Sequence, residues 1–392
     1  MRRLRSEVLD AGTGSKRGRE GLIHIASIDW DWLWARQQQL TTRLARTRRV
    51  LFVERMLSLD SLVRRRRFLR KVAENVWTLS PVKVLPFESK SRLTRAGNRI
   101  LYAAAVRAAS SRIGMRNPVL FFSTFDDHDL PGRLPHSLIV YDCLDRHEAF
   151  SWAQGSELAA ETRLLRQADV VVASSRDLVD RLAEMGVDAV LLRNAADVAF
   201  LGTAREQGEV LPALREIARP RIGFVGYIAD WVDLDLLDYV ARERPQWNIV
   251  LAGKRNVPDH SVFHRQNVWF LGPIPYPELP SLLRGLDVCL VPFKKNALTK
   301  AADTIKLFEY LSAGKRVVST DVEQAKEFSR FVSVAATPEE FLRDIEDLLG
   351  RGPLTPTPEL ESLLKGFDWD ARVQRLNELF ENALRQRSPA PT

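Results

Sequence analysis

The chain has 392 residues, a formal net charge of +8, 45% hydrophobic residues and 28% charged ones. At roughly 150 residues per domain that length implies two or three domains, and the composition is that of a globular protein able to bury large cores. No apolar run approaches the roughly 18–20 residues of a membrane-spanning helix, no apolar h-region follows the basic start Met1-Arg2-Arg3, and two cysteines make no disulfide framework, so the expectation is a cytoplasmic protein.

Residues 1–20 are charged, glycine-bearing and aperiodic, which predicts a disordered basic tail. From Gly21 strand patterns fall at 22–28, 50–53, 119–123, 138–141, 170–173 and 189–192, with helical patterns at 34–45, 92–110 and 156–167. The stretch 202–220 is polar and carries Gly208, Pro212 and Pro220, which predicts an interdomain linker. The alternation restarts at Arg221, with strands at 222–226, 248–252, 268–271, 288–291, 317–319 and 331–334. Helices fall between them at 234–243, 278–284, 304–313 and 338–349. A last helix over 369–386 puts Val373, Leu376, Phe380 and Leu384 on one stripe. Continuously apolar strands alternating with helices predict two α/β domains, 21–201 and 221–365, each with a parallel sheet covered on both faces. Two such domains place a cleft at the C-terminal ends of their strands.

The segment 301–320 carries the most chemistry. It reads as a loop, a short helix capped by Asp303 or Thr304, a glycine stop at Gly314 and a β-branched strand. A helix N-terminus at a cleft offers free N–H groups to a phosphate or diphosphate, here Asp303, Thr304 and Ile305 onward. Lys306 and Glu309 share a face, so a cation beside the phosphates and a carboxylate beyond them could hold a nucleotide by diphosphate and ribose. After other second-half strands stand Gly226, Lys254 with Arg255, the Gly272-Pro273-Ile274 turn, and Lys300. Cations there suit phosphate, and backbone groups of the turn could read a base edge.

In the first half, Asp29, Trp30, Asp31, Trp32 and Arg36 cluster at a strand-to-helix loop. Tryptophan faces stack on sugars and carboxylates accept sugar hydroxyls, although core packing is the ordinary fate of such tryptophans. Asp126, Asp127, His128 and Asp129 follow one strand, and Asp142, Asp145, Arg146 and His147 follow another. Their spacings match no metal signature, so no metal is expected. The run Gly12-x-Gly14-x-x-Arg17-Gly18 has no preceding strand and the chain has no P-loop, which argues against dinucleotide and P-loop chemistry. Arg64, Arg65, Arg66 and Arg67 are either a solvated face or a contact for anionic lipid. No nucleic-acid-binding signature is present.

Together these residues resemble the GT-B fold retaining glycosyltransferases of family 4 (glycosyl transferases group 1). The carrying residues are Gly223-Phe224-Val225-Gly226, Val268 to Gly272, Asp287 to Phe293 and Lys306 to Lys315 in the second half, with Ala168 to Ser175 and Arg193 to Asp197 in the first. Asp29-Trp30-Asp31, Tyr141-Asp142-Cys143 and Ile228 to Leu234 are most similar to the teichuronic-acid-type bacterial enzymes. The resemblance implies a GT-B architecture with the final helix, 366–388, packed back on the first domain. It implies transfer of a hexose, with retention, from a nucleotide diphosphate sugar to a glycan or lipid-linked acceptor, with no further cofactor. The donor would lie on the second domain, with Glu309 on ribose, the Thr304 helix end on diphosphate and the Gly272–Ile274 turn at the base. Gly226, Lys254, Lys300 and Lys306 complete that donor set. The acceptor would lie on the first domain, against Asp29, Trp30, Asp31, Trp32, Arg36 and His128. Catalytic duties would fall to Asp142, Asp145, Lys254 and Lys306. The sequence departs from the family at Ala301, where a carboxylate often precedes the ribose-binding Glu by eight residues, and at Tyr227 and Asp233, where an Arg/Lys pair is common. A nucleotide-sugar-binding scaffold without activity stays open because of Ala301. An epimerase stays open because of Asp127 with His128 and Asp145 with His147.

Overall fold

The structure, a computed structural model, describes residues 21–57, 68–86, 91–150 and 155–387. The expected tail 1–20 and the Arg64 to Arg67 cluster lie outside the described residues. The strands are β1 (Leu22–Ile25), β2 (Val50–Val53), β3 (Leu69–Ala73), β4 (Val76–Leu79), β5 (Val119–Phe122), β6 (Leu138–Cys143), β7 (Val170–Ala173) and β8 (Val190–Leu191) in the first half. The second half holds β9 (Arg221–Val225), β10 (Asn248–Ala252), β11 (Val268–Gly272), β12 (Val288–Val291), β13 (Arg316–Thr320) and β14 (Ser333–Ala335). The helices of the first half are α1 (Arg36–Leu44), α2 (Arg92–Arg112), α3 (Glu157–Leu165), α4 (Arg176–Glu184) and α5 (Val198–Gly202). Those of the second are α6 (Leu234–Glu243), α7 (Leu279–Gly285), α8 (Ala297–Ala301), α9 (Ile305–Ser312), α10 (Glu323–Glu327), α11 (Pro338–Gly350), α12 (Pro358–Gly366) and α13 (Trp369–Arg387).

The first sheet runs β3-β4-β2-β1-β5-β6-β7-β8 and is parallel except for the β3–β4 pair. The second runs β11-β10-β9-β12-β13-β14, all parallel. Strands such as Val-Leu-Phe-Val of β2 are buried along their whole length because helices cover both faces. The β3–β4 hairpin turns at Asn75, whose φ is +56°. Sequence periodicity missed it: β3 is a half-exposed edge carrying Arg70 and Lys71, which blunt the edge rather than announce a strand.

The stretch 202–220 is not a linker. Ala204, Leu211, Leu214 and Ile217 are buried in the hydrophobic cluster of the second domain together with Leu201. Arg284 of α7 ties the stretch down by donating to the carbonyls of Thr203 and Glu209 at 2.7 Å each. The chain changes domain earlier, at Arg193–Ala196, and returns at Phe367–Trp369. The two passages pair: Ala196 N–H donates to the Phe367 carbonyl at 2.9 Å, and Trp369 N–H to the Ala196 carbonyl at 3.2 Å. Helix α13 then lays Trp369, Val373, Leu376 and Phe380 into the first domain's core beside Leu40, Phe52 and Phe121. At about 1.5–3 kcal/mol for each large side chain removed from water, that docking is a substantial tie. Among the described residues no helix is long and apolar enough to cross a membrane.

Candidate active site

The C-terminal ends of both sheets face a cavity of about 360 Å³ between the domains. Its floor on the second domain is the start of α9, where Thr304, Ile305 and Lys306 all line the space. Thr304 is the N-cap residue, but no side chain of its own caps the helix. Instead Gln324 of α10 accepts from Thr304 N–H at 2.6 Å and donates to the Asp303 carboxylate at 2.7 Å. The N–H groups of the first turn beyond Thr304 have no intrahelical partner, and the helix dipole puts about half a positive charge there. Lys306 Nζ lies 2.7 Å from Glu309 Oε2, and Glu309 is buried. Gly226 makes room for this lysine, since a Cβ on it would meet Lys306 Cε at 3.2 Å. Gly253 is equally constrained: its φ is +148°, and a Cβ there would lie 1.8 Å from the Gly226 carbonyl oxygen.

The first domain supplies Arg36, Asp145 and Asn194. Arg36 grips Asp142 with both ends of its fork, Nε to Oδ2 at 3.0 Å and Nη2 to Oδ1 at 2.7 Å, and reaches Asn194 Oδ1 at 3.1 Å. The Asp142 carboxylate, expected as catalytic, is therefore buried and committed to Arg36, and does not line the cavity. Arg36, expected on the acceptor, does line it, but mostly spent. Asp145 is the other case. It is half-buried, lines the cavity and has no hydrogen bond or ion pair among the described residues. Burial pushes its carboxyl above the ordinary range, with His147 and Arg36 pulling the other way and Asp142 adding to the rise. Behind this wall His24, which sequence reasoning did not single out, bridges Thr41 at 2.7 Å and Ser123 at 2.9 Å. Burial, aided by Arg36, lowers its pKa to about 3, so it is a neutral brace under α1.

Several expected site residues serve elsewhere. Asp303 accepts from Arg193 at 2.8 and 3.0 Å and from the Asn194 backbone, so it fastens the two domains and is not free for a phosphate-side role. Burial nevertheless raises its pKa against the pull of Arg193. Lys300 points away to Asp177 of α4, 3.7 Å distant. Ala301 is fully buried within the first domain's own cluster, where α8 meets α4. Trp30 is a core residue packed edge-on against Phe52, and its backbone N–H donates to Glu54 at 2.9 Å. Asp31 pairs with Arg70 at the surface. Trp32 crosses to the second domain, where Lys254 Nζ sits 3.5 Å from its ring centroid; burial lowers that ammonium's pKa while neighbouring Asp29 raises it. Trp34 likewise stacks on Tyr276 at 5.8 Å. Lys254, Pro273 and Ile274 do not line the cavity, and Ile274 packs on the second core.

His128 lies in a separate cavity of about 520 Å³ on the first domain, with Arg55, Lys83, Arg99 and Asp126. There Arg99 is paired with Asp127 and Asp129. Burial, reinforced by Asp127, raises the Asp126 carboxyl. Among the described residues no group of three His, Cys, Asp or Glu side chains could hold a metal ion.

Residues 219–351 match the family "Glycosyl transferases group 1". The chain is 25% identical over 264 residues to the Bacillus subtilis (strain 168) protein TuaH, named for teichuronic acid biosynthesis; the match covers 61% of this chain and 65% of that one, just under two thirds of the relative's length. Among solved structures it is similar to Anabaena Alr3699/HepE in complex with UDP and glucose (TM-score 0.61, 13% identity, 92% of this chain and 99% of that one). It is also similar to the catalytic domain of Starch Synthase IV from Arabidopsis thaliana bound to ADP and acarbose (TM-score 0.64, 11% identity, 93% and 99%). These matches agree with the family resemblance and the GT-B fold read from the sequence.

Proposed function

We propose that this chain, whose residues 219–351 form a glycosyl transferases group 1 domain within a GT-B fold, moves a hexose from a nucleotide diphosphate sugar to a glycan or lipid-linked acceptor, with retention, in making cell-surface polysaccharide or glycolipid. The observation that carries this reading is the start of α9: open N–H groups and Lys306 at the cavity, with Glu309 buried behind. The diphosphate sits on that helix end, and Lys306 turns from Glu309 to the leaving phosphate. Glu309, released, takes the ribose hydroxyls, and the base reaches past the cavity toward the backbone of the Gly272–Ile274 turn. Asp145, the unpartnered carboxyl of the facing wall, holds a hydroxyl of the transferred sugar or the acceptor. The acceptor oxygen bonds to the anomeric carbon as the bond to the diphosphate breaks, and the acceptor proton passes to the leaving diphosphate oxygen. The protein contributes alignment and charge stabilisation, which suffice for large rate enhancements. The relatives support the donor class: one solved neighbour holds UDP with glucose and another ADP.

The test is a panel of nucleotide sugars scored by thermal shift and by nucleotide release. The true donor raises Tm, because it binds only the native state, and Glu309→Ala raises its KM. No shift and no release with any donor, or wild-type kinetics in Glu309→Ala, would overturn the reading. Shift without release would favour a silent scaffold. For an epimerase, two acid–base groups must meet the sugar. Of the pairs named for it, Asp127 is held by Arg99 and Tyr102 in the separate cavity, and only Asp145 lines the cleft.

A further inference from the structure

Tyr276 carries a hydroxyl that the fold does not use. It opens the short turn Tyr276–Glu278, just after Gly272-Pro273-Ile274-Pro275. Its ring is clamped between two others: Phe200 of α5, 5.1 Å away and 29° from parallel, and Trp34 of the first domain, at 5.8 Å and 28°. Phenylalanine would stack there equally well, so packing explains the ring and leaves the hydroxyl over. That hydroxyl oxygen is buried and has no hydrogen-bond partner among the described residues. Buried polar groups are nearly always paired, and an exception asks for a reason.

The neighbours that could have taken it are engaged elsewhere. The Gln39 amide of α1 approaches without making a bond of normal geometry, and its Oε1 accepts from Arg43. Asp197 accepts from Arg43 at 2.7 Å and from the Phe200 N–H at 3.3 Å. Glu309 Oε2 accepts from Lys306 at 2.7 Å. Helix α5, with Phe200, packs against α9, which carries Glu309. Burial, followed by the charges of Glu309 and Asp197, raises the Tyr276 pKa, so the phenol keeps its proton.

We propose that the Tyr276 hydroxyl is a ribose ligand, the hydrogen-bond donor that stands beside the acceptor Glu309. This rests on the placement of ribose at Glu309 proposed above. A carboxylate only accepts. It takes the protons of the vicinal ribose hydroxyls and offers nothing to their lone pairs. Tyr276 supplies the missing donor on a rigidly held ring, so the pair reads a diol where the carboxylate alone would read any proton donor. One face of that ring rests on Trp34, so the reading is complete only while the first domain touches the second.

The experiment is titration calorimetry of the full chain with UDP, ADP, GDP and CDP, and then with the 2′-deoxy and 3′-deoxy forms of the nucleotide that binds most tightly. Tyr276→Phe removes the hydroxyl and leaves the stack. It is expected to weaken that nucleotide about 2- to 12-fold, the net worth of one neutral hydrogen bond, and to raise the donor KM equally with kcat unchanged. One of the two deoxy nucleotides should bind variant and wild type alike, because the partner of the lost bond is then absent. The variant should melt at or above the wild-type Tm, since removing an unpaired buried hydroxyl costs the fold nothing. Wild-type affinity in Tyr276→Phe, a loss that persists with both deoxy nucleotides, or a lowered Tm, which would show the hydroxyl paired within the fold, would overturn the inference. Glu309→Ala separates the two levels. If it weakens the nucleotide and Tyr276→Phe does not, Tyr276 alone leaves the ribose site. If it too binds as wild type does, or no nucleotide binds, the ribose reading fails and this inference with it.

Discussion

Residues 300–303 and 304–309 adjoin in the chain, and they divide their side chains between two tasks. In the first group Lys300 reaches Asp177, Ala301 is packed into the first domain's cluster, and Asp303 is held by Arg193 and Asn194. In the second, Thr304, Ile305 and Lys306 line the cavity, and Glu309 waits behind Lys306. Lys300, Ala301 and Asp303 fasten the domains, whereas Thr304, Ile305 and Lys306 line the cavity while Leu307 and Phe308 anchor the helix in the second core. Gln324 joins the two tasks, because one amide contacts both Asp303 and the Thr304 backbone. The orientation of the helix end is thus set by the same bonds that hold the domains together.

The division explains Ala301. A carboxylate at this position would enter an apolar site with no partner. Ala301→Asp is therefore expected to cost about 2–7 kcal/mol, the range for burying an unpaired polar group, and to loosen the domain contact; calorimetry together with small-angle scattering would read both. An unchanged melt would show that the first group does not pack as described. Lys306→Ala tests the second group. It should lower kcat by about 100- to 1000-fold through lost charge stabilisation and also lower Tm, because the buried Glu309 carboxylate loses the ammonium beside it, as read by steady-state kinetics and a thermal melt.

Asp145 stands opposite, and its replacement should be milder. Asp145→Asn should lower kcat/KM by about 10- to 100-fold, the worth of a hydrogen bond to a charged group. Wild-type kcat/KM should rise with pH through the raised pKa of Asp145, and the variant should lose that limb. The stability effect has the opposite sign. A carboxyl whose pKa is higher folded than unfolded favours the fold most at pH below the unfolded value, and that contribution is lost as pH rises through the folded value. Urea titrations should therefore show the variant gaining on wild type above that range. Lys300→Ala is the smallest of the four. An exposed pair is worth about 0.2–1 kcal/mol, and the donor KM should not move; a raised KM would return Lys300 to the donor site.

The sequence announced these two tasks unequally. β10, β12 and α6 run where their patterns place them, because a fully buried strand or a two-sided helix writes its period into consecutive residues. The end of α9 was legible for the same reason, down to Gly314 with φ +68° after its last turn. The stretch 202–220 misled because its prolines and polar residues outnumber Leu211, Leu214 and Ile217, which bury it. Arg36 with Asp142 and Arg193 with Asp303 are more than a hundred residues apart, so no local pattern could show that these carboxylates are spoken for. Trp30 and Trp32 are two residues apart, yet one fills the core and the other meets Lys254, a difference of strand-end geometry rather than of composition.

The paired passages at Ala196 and Phe367–Trp369 bear on how this chain can be rearranged. The polypeptide leaves the first domain and re-enters it at one spot, so the second domain is topologically an insert, a single contiguous cassette carried by a discontinuous host. Cutting after residue 220 would strip that cassette of Leu201, Leu211 and Leu214, whereas cuts at the two neighbouring passages remove it whole and leave host ends already side by side. Exchange of second domains between relatives therefore has natural seams here, and they lie one hydrogen bond apart.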